Sequence, residues 1–383
     1  MVIKSCLCLA ARKAAFCGLL LFIAQAAVAQ TSVGVDILNG LLVQTIEEDE
    51  QTDEEFPLRL AGSSQASLDF RSAPSPSMQG RVQLRIGLLG DAQTGAVIPL
   101  IDVHRAYLRA RIPFSQTWAL RLGTGKDRLS WGLGSYLNAG DLIFGADGRD
   151  TADLTQSQDV RDETAWMASL YFPLGKLAYL EAALLPQLPQ LPQLPSLQAS
   201  PALPLAEDGR AGGRLHASLG PLSLEGSYLY DGSTPAEEGL HLIGMAIQGT
   251  ALGADLYGAG RLSLEPESDA DIESDLLISA GIFRSFRIGY EQSLNARFEA
   301  MVPPEETEEL VLYPELVWSP IRTVSVIARS VIVPDDESTA ITAGATWNIF
   351  QGLTLLFFGT GTAASDEDDQ VPVAFTLGMQ ARF

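Results

Sequence analysis

The last eleven residues of the chain, Val373-Ala-Phe-Thr-Leu-Gly-Met-Gln-Ala-Arg-Phe383, alternate between two kinds of side chain. Because successive side chains of an extended strand point to opposite faces, this period of two predicts a β-strand with one apolar face. The other face would be small or polar, with Thr376, Gly378, Gln380 and Arg382. The apolar face would carry Val373, Phe375, Leu377, Met379, Ala381 and Phe383.

The same alternation recurs upstream, at residues 103–112 and 286–300. In the first segment it places His104, Ala106, Leu108, Ala110 and Ile112 on the apolar, outward face. Past Ala29 the chain holds no stretch of eighteen apolar residues, yet its mean hydropathy is +0.14. The apolar residues are therefore distributed by alternation, as in strands with lipid on one side and a polar interior on the other. A soluble β-sandwich has the same period and is the alternative.

The predicted connections separate these two architectures, because they are of two kinds that alternate strictly. The short ones contain no Asp or Glu and lie at residues 113–116, 173–176, 220–221, 249–250, 319–322 and 348–352. The others are mostly longer and acidic, at 126–163, 186–209, 231–239, 265–273, 302–309, 334–338 and 363–370. Outer-membrane barrels have short periplasmic turns and long extracellular loops. We therefore predict an all-β fold, a transmembrane antiparallel up-and-down β-barrel.

Counting hairpins back from Phe383 gives eighteen strands, with residues 33–46 and 58–72 as the first two. If residues 33–46 form a plug or arm and 58–72 lie outside the wall, the count is sixteen.

The positions of the tryptophans fit the barrel, because aromatic residues collect where lipid meets water. Trp118, Trp318 and Trp347 fall beside predicted periplasmic turns, and Trp166 beside an extracellular loop; ordinary core tryptophans are the alternative.

Residues 1–29 have the pattern of a secretory signal peptide, and residues 30–383 would be the barrel. Three basic residues precede the apolar run 14–24, and Ala27-Val28-Ala29 offers small residues at the cleavage site. All three cysteines, Cys6, Cys8 and Cys17, lie in this segment, so the mature chain has neither disulfides nor thiolate metal sites. Cleavage would change the net charge from −22 to −25. Such an acidic chain argues against nucleic acid as a partner.

The segment Arg121-Leu-Gly-Thr-Gly-Lys-Asp-Arg-Leu-Ser-Trp-Gly-Leu-Gly134, followed by Leu137-Asn-Ala-Gly-Asp141, resembles a strand-to-loop signature. Porin-like and alginate-export-like outer-membrane barrels of the Gram-negative type carry a similar Gly-x-x-Arg-x-x-Trp-Gly, then Asn-Pro-x-Asp. Ala139 stands here where that pattern has proline. The resemblance implies outer-membrane lipid as surroundings and the barrel-assembly machinery as a partner during biogenesis. The signal that this machinery recognises would be the terminal strand, with Phe375, Leu377, Met379 and Phe383 as the recognised residues.

Charged side chains on the inward parity, together with Tyr107, are the candidate pore lining. On one side these are Arg81, Arg85, Arg105, Tyr107, Arg109, Arg111 and Arg121. Across the barrel they are Glu181, Glu225, Asp255, Glu291, Glu299 and Glu315. One interpretation is an eyelet with a basic and an acidic wall that screens solutes by charge and size. The structural alternative is that these groups tie the wall together by ion pairs.

The sequence gives little support for a catalytic or a cofactor-binding site. His216 and Ser218 have the two-residue spacing used by outer-membrane phospholipases, but the pair would face the lumen, and Leu219 stands where that pattern has asparagine. The Gly123-Thr-Gly-Lys126 segment lacks the spacing of a phosphate-binding loop. We therefore predict no enzyme and no cofactor, but a porin-like channel for passive diffusion of small hydrophilic solutes. A structural or surface-exposed barrel with a plugged lumen, and a barrel hydrolase, are the alternatives.

Two low-complexity segments belong to the predicted loops. Residues 186–195 repeat proline every three residues, which predicts an extended polyproline II spacer in an extracellular loop. Residues 47–55 carry seven acids and would form a solvated, repulsive loop, without the Asp and Gly spacing of a calcium site.

Overall fold

The computed structural model describes residues 32–45, 58–72, 75, 77–91, 97–115, 118–146, 163–186, 209–232, 239–264, 276–302, 310–363 and 373–383. The predicted signal peptide and the acidic segment at residues 47–55 lie outside these residues. So does all but the first residue of the proline-rich segment. No helix among the described residues is long and apolar enough to cross a membrane.

The described residues form eighteen antiparallel strands of period-two sequence. They are β1 (Ser32–Thr45), β2 (Leu58–Arg71), β3 (Met78–Asp91), β4 (Val97–Pro113), β5 (Ala119–Asp127), β6 (Ala165–Pro173), β7 (Ala178–Leu185), β8 (Arg210–Leu219), β9 (Leu222–Asp231), β10 (Leu240–Ala251), β11 (Ala254–Leu264), β12 (Leu276–Ile288), β13 (Gln292–Val302), β14 (Val311–Ile321), β15 (Val324–Val333), β16 (Ser338–Phe350), β17 (Leu353–Ala363) and β18 (Val373–Arg382).

The sheet closes into a barrel, because each strand pairs with its neighbours in sequence and β18 pairs with β1. At that seam Leu41 lies opposite Leu377. The prediction of an antiparallel eighteen-stranded barrel is confirmed. The sixteen-stranded alternative is wrong, since β1 and β2 are both hydrogen-bonded into the wall.

The two ends of the barrel differ as the connections predict. We call the end that carries the connections after even-numbered strands the short-turn rim, and the other end the long-loop rim. One predicted turn is misplaced: β10 continues through residues 249–250, and the chain reverses at Leu252 and Gly253 instead. Both residues have positive φ, 54° and 74°, as tight hairpins between twisted strands require.

The outward face of the wall is apolar. Phe357 and Leu377 are 53% and 55% exposed there, although both lie well inside their strands. Trp118, Trp166, Trp318 and Trp347 lie at or near strand ends and are 38–50% exposed, so they are not core residues. Exposed aromatic residues at both ends of an apolar band are the arrangement of interfacial girdles.

A β-bulge in β4 changes which face its residues occupy. The register between β3 and β4 shifts at Gln83 and Leu84, and Gln83 pairs with Arg105 while Leu84 pairs with Val103. His104 is the extra residue and is only 4% exposed. The prediction that His104 lies on the outward apolar face is therefore wrong, because a bulge breaks the strict period of two.

The face assignment is testable on one strand. Phe357 points outward and Thr360, three residues later on β17, points into the lumen. Phe357→Arg should lower the free energy of unfolding in phospholipid bilayers by about 2–4 kcal/mol, because it exposes a charge to lipid. Thr360→Arg should change it by much less. Denaturant titration measures the free energy of unfolding of both variants. Equal destabilisation would contradict the assignment of the two faces.

Candidate functional site

The connection between β5 and β6 does not stay outside the barrel. After Asp127 the chain turns into the lumen, and residues 128–146, the inward loop, pack against the inner wall. Trp131, Leu137 and Ala139 are each 0% exposed. The length of this connection could not show whether it folds inward, and the structure decides that its first part does.

Two apolar clusters hold the inward loop. Tyr136, Leu137 and Ala139 pack with wall residues of β10 to β15, and the ring of Tyr136 stacks on that of Tyr313 with centroids 4.3 Å apart. Trp131, Leu142 and Ile143 pack with Met167 and with residues of β7, β9 and β10. Most strands from β6 to β16 thus carry apolar residues on the lumen side as well, and the loop covers these residues.

Glu299 on β13 anchors the loop. Its carboxylate accepts hydrogen bonds from the backbone N–H groups of Ser135, Tyr136 and Leu137 at 2.8, 2.8 and 2.7 Å, and from the hydroxyl of Tyr257. The side chain is completely buried. Consecutive N–H groups that converge on one anion form a backbone nest, so the wall supplies the anion that this turn of the loop needs.

Three further contacts fix the loop along its length. The N–H of Gly132 donates to Glu225 at 2.8 Å, and Arg210 donates to the carbonyl of Ile143 at 2.8 Å. The N–H of Ala139 donates to the hydroxyl of Ser279 at 2.9 Å. Proline has no N–H, so alanine at position 139, where the resembling families have proline, makes this contact possible.

The glycines of the Trp-Gly-Leu-Gly segment are required by the turn itself. Gly132 has a φ of +73°, and a Cβ there would lie 2.2 Å from the side-chain oxygen of Asn138. A Cβ on Gly134 would lie 1.9 Å from the carbonyl oxygen of Leu137. Only glycine lets the backbone approach this closely, so the motif encodes the inward turn.

The predicted acidic wall is not an open pore surface. Glu299 is buried under the loop and lines no open space, so its assignment as a pore-lining residue is corrected. Glu291 is also corrected, because it does not lie on a strand: it is in the turn between β12 and β13, its side chain is 56% exposed, and it lies 3.9 Å from Arg322. The alternation read through residues 286–300 is in fact interrupted by that turn, where Gly289 has positive φ.

The remaining predicted acids are engaged by neighbours. Glu181 and Glu225 share the guanidinium of Arg214, at 2.7 and 2.9 Å. Glu315 lies 3.7 Å from Arg297 and accepts a hydrogen bond from Tyr313. Asp255 accepts a hydrogen bond from Thr250 at 2.8 Å. The carboxylates in this half of the wall bind either the inward loop or neighbouring side chains.

The predicted arginines fall into two groups. Arg81 and Arg109 are in ion pairs, with Asp69 at 2.8 Å and with Asp127 at 2.5 Å. Tyr107 lies opposite Arg81, Arg85 opposite Asp102, and Arg105 opposite Gln83. Arg111 and Arg121 differ, because they lie directly opposite each other on β4 and β5 and both are exposed.

His216 and Ser218 approach each other, with 3.4 Å between Nε2 and Oγ. A possible third member that the sequence did not indicate is Glu225, whose carboxylate lies 3.8 Å from His216 Nδ1. Both distances are longer than well-formed hydrogen bonds, and Glu225 already accepts from Arg214 and Gly132. The arrangement therefore does not activate Ser218. Within the described residues, no group of three His, Cys, Asp or Glu is placed to hold a metal ion.

The Glu299 anchor is testable by hydrogen exchange in detergent micelles. Glu299→Gln places an amide among three N–H donors, and one unsatisfied buried group costs about 1–3 kcal/mol. Exchange at residues 135–137 should therefore rise by roughly two orders of magnitude. Glu291→Gln, in an exposed turn, is the control and should leave it unchanged. Unaltered exchange in Glu299→Gln would show that the apolar clusters alone hold the loop.

A covalent lock completes this test, because the mature chain would have no cysteine of its own. A Cβ on Gly140 would lie 3.2 Å from that of Ala259, close to the roughly 3.5–4.5 Å of a disulfide. Adding Gly140→Cys and Ala259→Cys to Glu299→Gln should therefore restore slow exchange under oxidising conditions only.

Comparison with known proteins supports the architecture. Neither a scan against models of protein families nor a search of curated proteins gave a match. Among solved structures, the chain is similar to Acinetobacter baumannii OccAB4, with a TM-score of 0.50, 10% identity and coverage of 92% of this chain and 99% of that one. A triple mutant of Rhodopseudomonas blastica porin gives a TM-score of 0.43 at 11% identity, with coverage of 92% and 100%. The chain has the fold of the porin-like outer-membrane barrels.

Proposed function

We propose that the protein is an outer-membrane channel through which small hydrophilic solutes diffuse passively. The observation that carries this proposal is the division of the lumen. The apolar clusters of the inward loop involve strands β6 to β15 and Ala340 of β16, and among the described residues none of their members lies on β17, β18 or β1 to β4. The apolar outward face supports placement in lipid, with water inside.

Small polar side chains lie on the inward face of the wall opposite the loop, next to apolar ones such as Leu38 and Phe358. Short hydroxyl and amide groups such as Ser63, Thr360 and Gln380 share the inward face with Asp36 and Asp69. Gln83 donates to Ser67 at 2.9 Å, and Gln380 donates to Asp36 at 2.9 Å. Such a surface replaces the hydration of a polar solute without binding it tightly, which passive diffusion requires.

The route to the membrane is part of this proposal. We infer that residues 1–29 direct export and are removed, and that the barrel-assembly machinery inserts the chain from its last strand. Phe375, Leu377, Met379 and Phe383 are 43–80% exposed on the outside of the barrel or at its end, where another protein could reach them. Outer-membrane lipid would then surround the same outward face.

A plugged barrel whose loops bind partners is the second candidate, because the inward loop is firmly packed. Reconstitution of the folded protein into planar bilayers distinguishes the two. The channel predicts stepwise, ohmic increases in conductance, since water and ions fill the half of the lumen that the described loop does not cover. Protein that is folded and inserted but passes no current would establish the plugged barrel instead.

Replacement of Arg105, Arg109 and Arg121 with Ser should shift ion selectivity towards cations. The physical reason is that fixed positive charge in a narrow pore favours anions, and Arg121 has no carboxylate to neutralise it among the described residues. Reversal potentials under a salt gradient measure the shift. Arg322→Ser, at the short-turn rim and outside the lumen wall, is the matched control. Identical reversal potentials in the triple variant and the wild type would refute the role of these arginines.

A further inference from the structure

A recess of about 570 Å³ lies in the lumen near the short-turn rim, between β3 to β7 and the start of the inward loop. This volume is within the roughly 300–1,000 Å³ of small-molecule sites. Its charged lining is mostly basic, with Arg109, Arg111, Arg121 and Arg128. Ser75, Ser77 and Ser169 belong to the same lining.

The charges in this recess do not balance. Its two carboxylates are already paired, Asp127 with Arg109 at 2.5 Å and Glu181 with Arg214 at 2.7 Å. Within the described part of the chain, no carboxylate is within ion-pair distance of Arg111, Arg121 or Arg128. Among the described residues, three guanidinium groups around one space therefore have no carboxylate partner, in a chain that has 47 acidic residues against 25 basic ones.

The placement of two of these arginines is unfavourable for the empty barrel. Arg111 and Arg121 are directly opposite each other on adjacent strands, and like charges in this position destabilise a sheet. The guanidinium of Arg121 lies 5.0 Å from the ring centroid of Tyr171, a contact that helps to orient it. A bound anion would remove the repulsion between the two arginines.

We propose that this recess binds the phosphate group of a small hydroxylated phosphate monoester. The inference rests on the proposed function, because the ligand would be a solute of the channel. A phosphate dianion offers three terminal oxygens in a tetrahedral arrangement, and guanidinium groups from two strands and the loop can approach it from different directions. A single carboxylate needs only one of these groups. The serine hydroxyls suit the hydroxyl groups of the rest of the ligand.

The test measures binding in detergent micelles, where it does not depend on whether the barrel conducts. Isothermal titration with glucose 6-phosphate and with inorganic phosphate should show binding, whereas glucose and succinate should bind at least about tenfold more weakly. The variant Arg111→Ser with Arg121→Ser should lose about tenfold or more in affinity for glucose 6-phosphate. Arg322→Ser removes one charge at the same rim and should bind as the wild type does.

A conservative substitution distinguishes a binding site with defined geometry from attraction by positive charge alone. Arg121→Lys keeps the charge but loses the planar pair of donors, so glucose 6-phosphate should bind more weakly while ion selectivity in bilayers is retained. Equal affinity for succinate and glucose 6-phosphate, or undiminished binding in the double serine variant, would overturn the proposal. A barrel that binds the phosphate monoester in micelles but carries no current would leave this site standing and refute the channel.

Discussion

The closed ladder of backbone hydrogen bonds is the constraint on which the rest of this structure depends. A sheet whose outward side chains are apolar leaves no water on that side to satisfy a free edge. Pairing of β18 with β1 removes the edge, and every strand then has a neighbour on both sides. Once the wall is closed, the period of two assigns each side chain to the outside or to the lumen.

The lumen raises a different problem, because a wide polar interior does not by itself hold a long connection in place. The inward loop solves it with its own small core, formed by Trp131, Tyr136 and Leu137 against the wall. Its backbone donors are satisfied by Glu299, Glu225 and Ser279. Apolar packing gives this loop its position, and the buried carboxylates decide which turn of its backbone faces the wall.

This arrangement makes the lumen electrically one-sided. Glu181, Glu225, Glu299 and Glu315 on β7 to β14 bind the loop, Arg214 or Arg297, so these four carboxylates contribute little free charge. The arginines on β4 and β5 are neutralised only in part: Asp127 pairs with Arg109, whereas Arg111 and Arg121 have no carboxylate partner in the part of the chain that the structure describes. The structure therefore combines both interpretations of the charged lining, with a structural network on one side and exposed positive charge on the other.

The sequence by itself determined the class of fold and most of the outward face, and it limited the strand number to eighteen or sixteen, because alternation and turn spacing are local properties. The pairing of β1 and β2 into the wall decided for eighteen, and three further features were also decided only by the tertiary structure. The bulge at His104 shifts the alternation of inward and outward side chains in β4, and no local sequence pattern indicates it. The turn at residues 289–291 removes Glu291 from the lumen wall. The role of Glu299 depends on N–H groups more than 160 positions away in the chain, a distance across which sequence periodicity carries no information. The segment Arg121–Gly134 resembled a strand-to-loop signature, but only the closed wall shows what the following loop packs against.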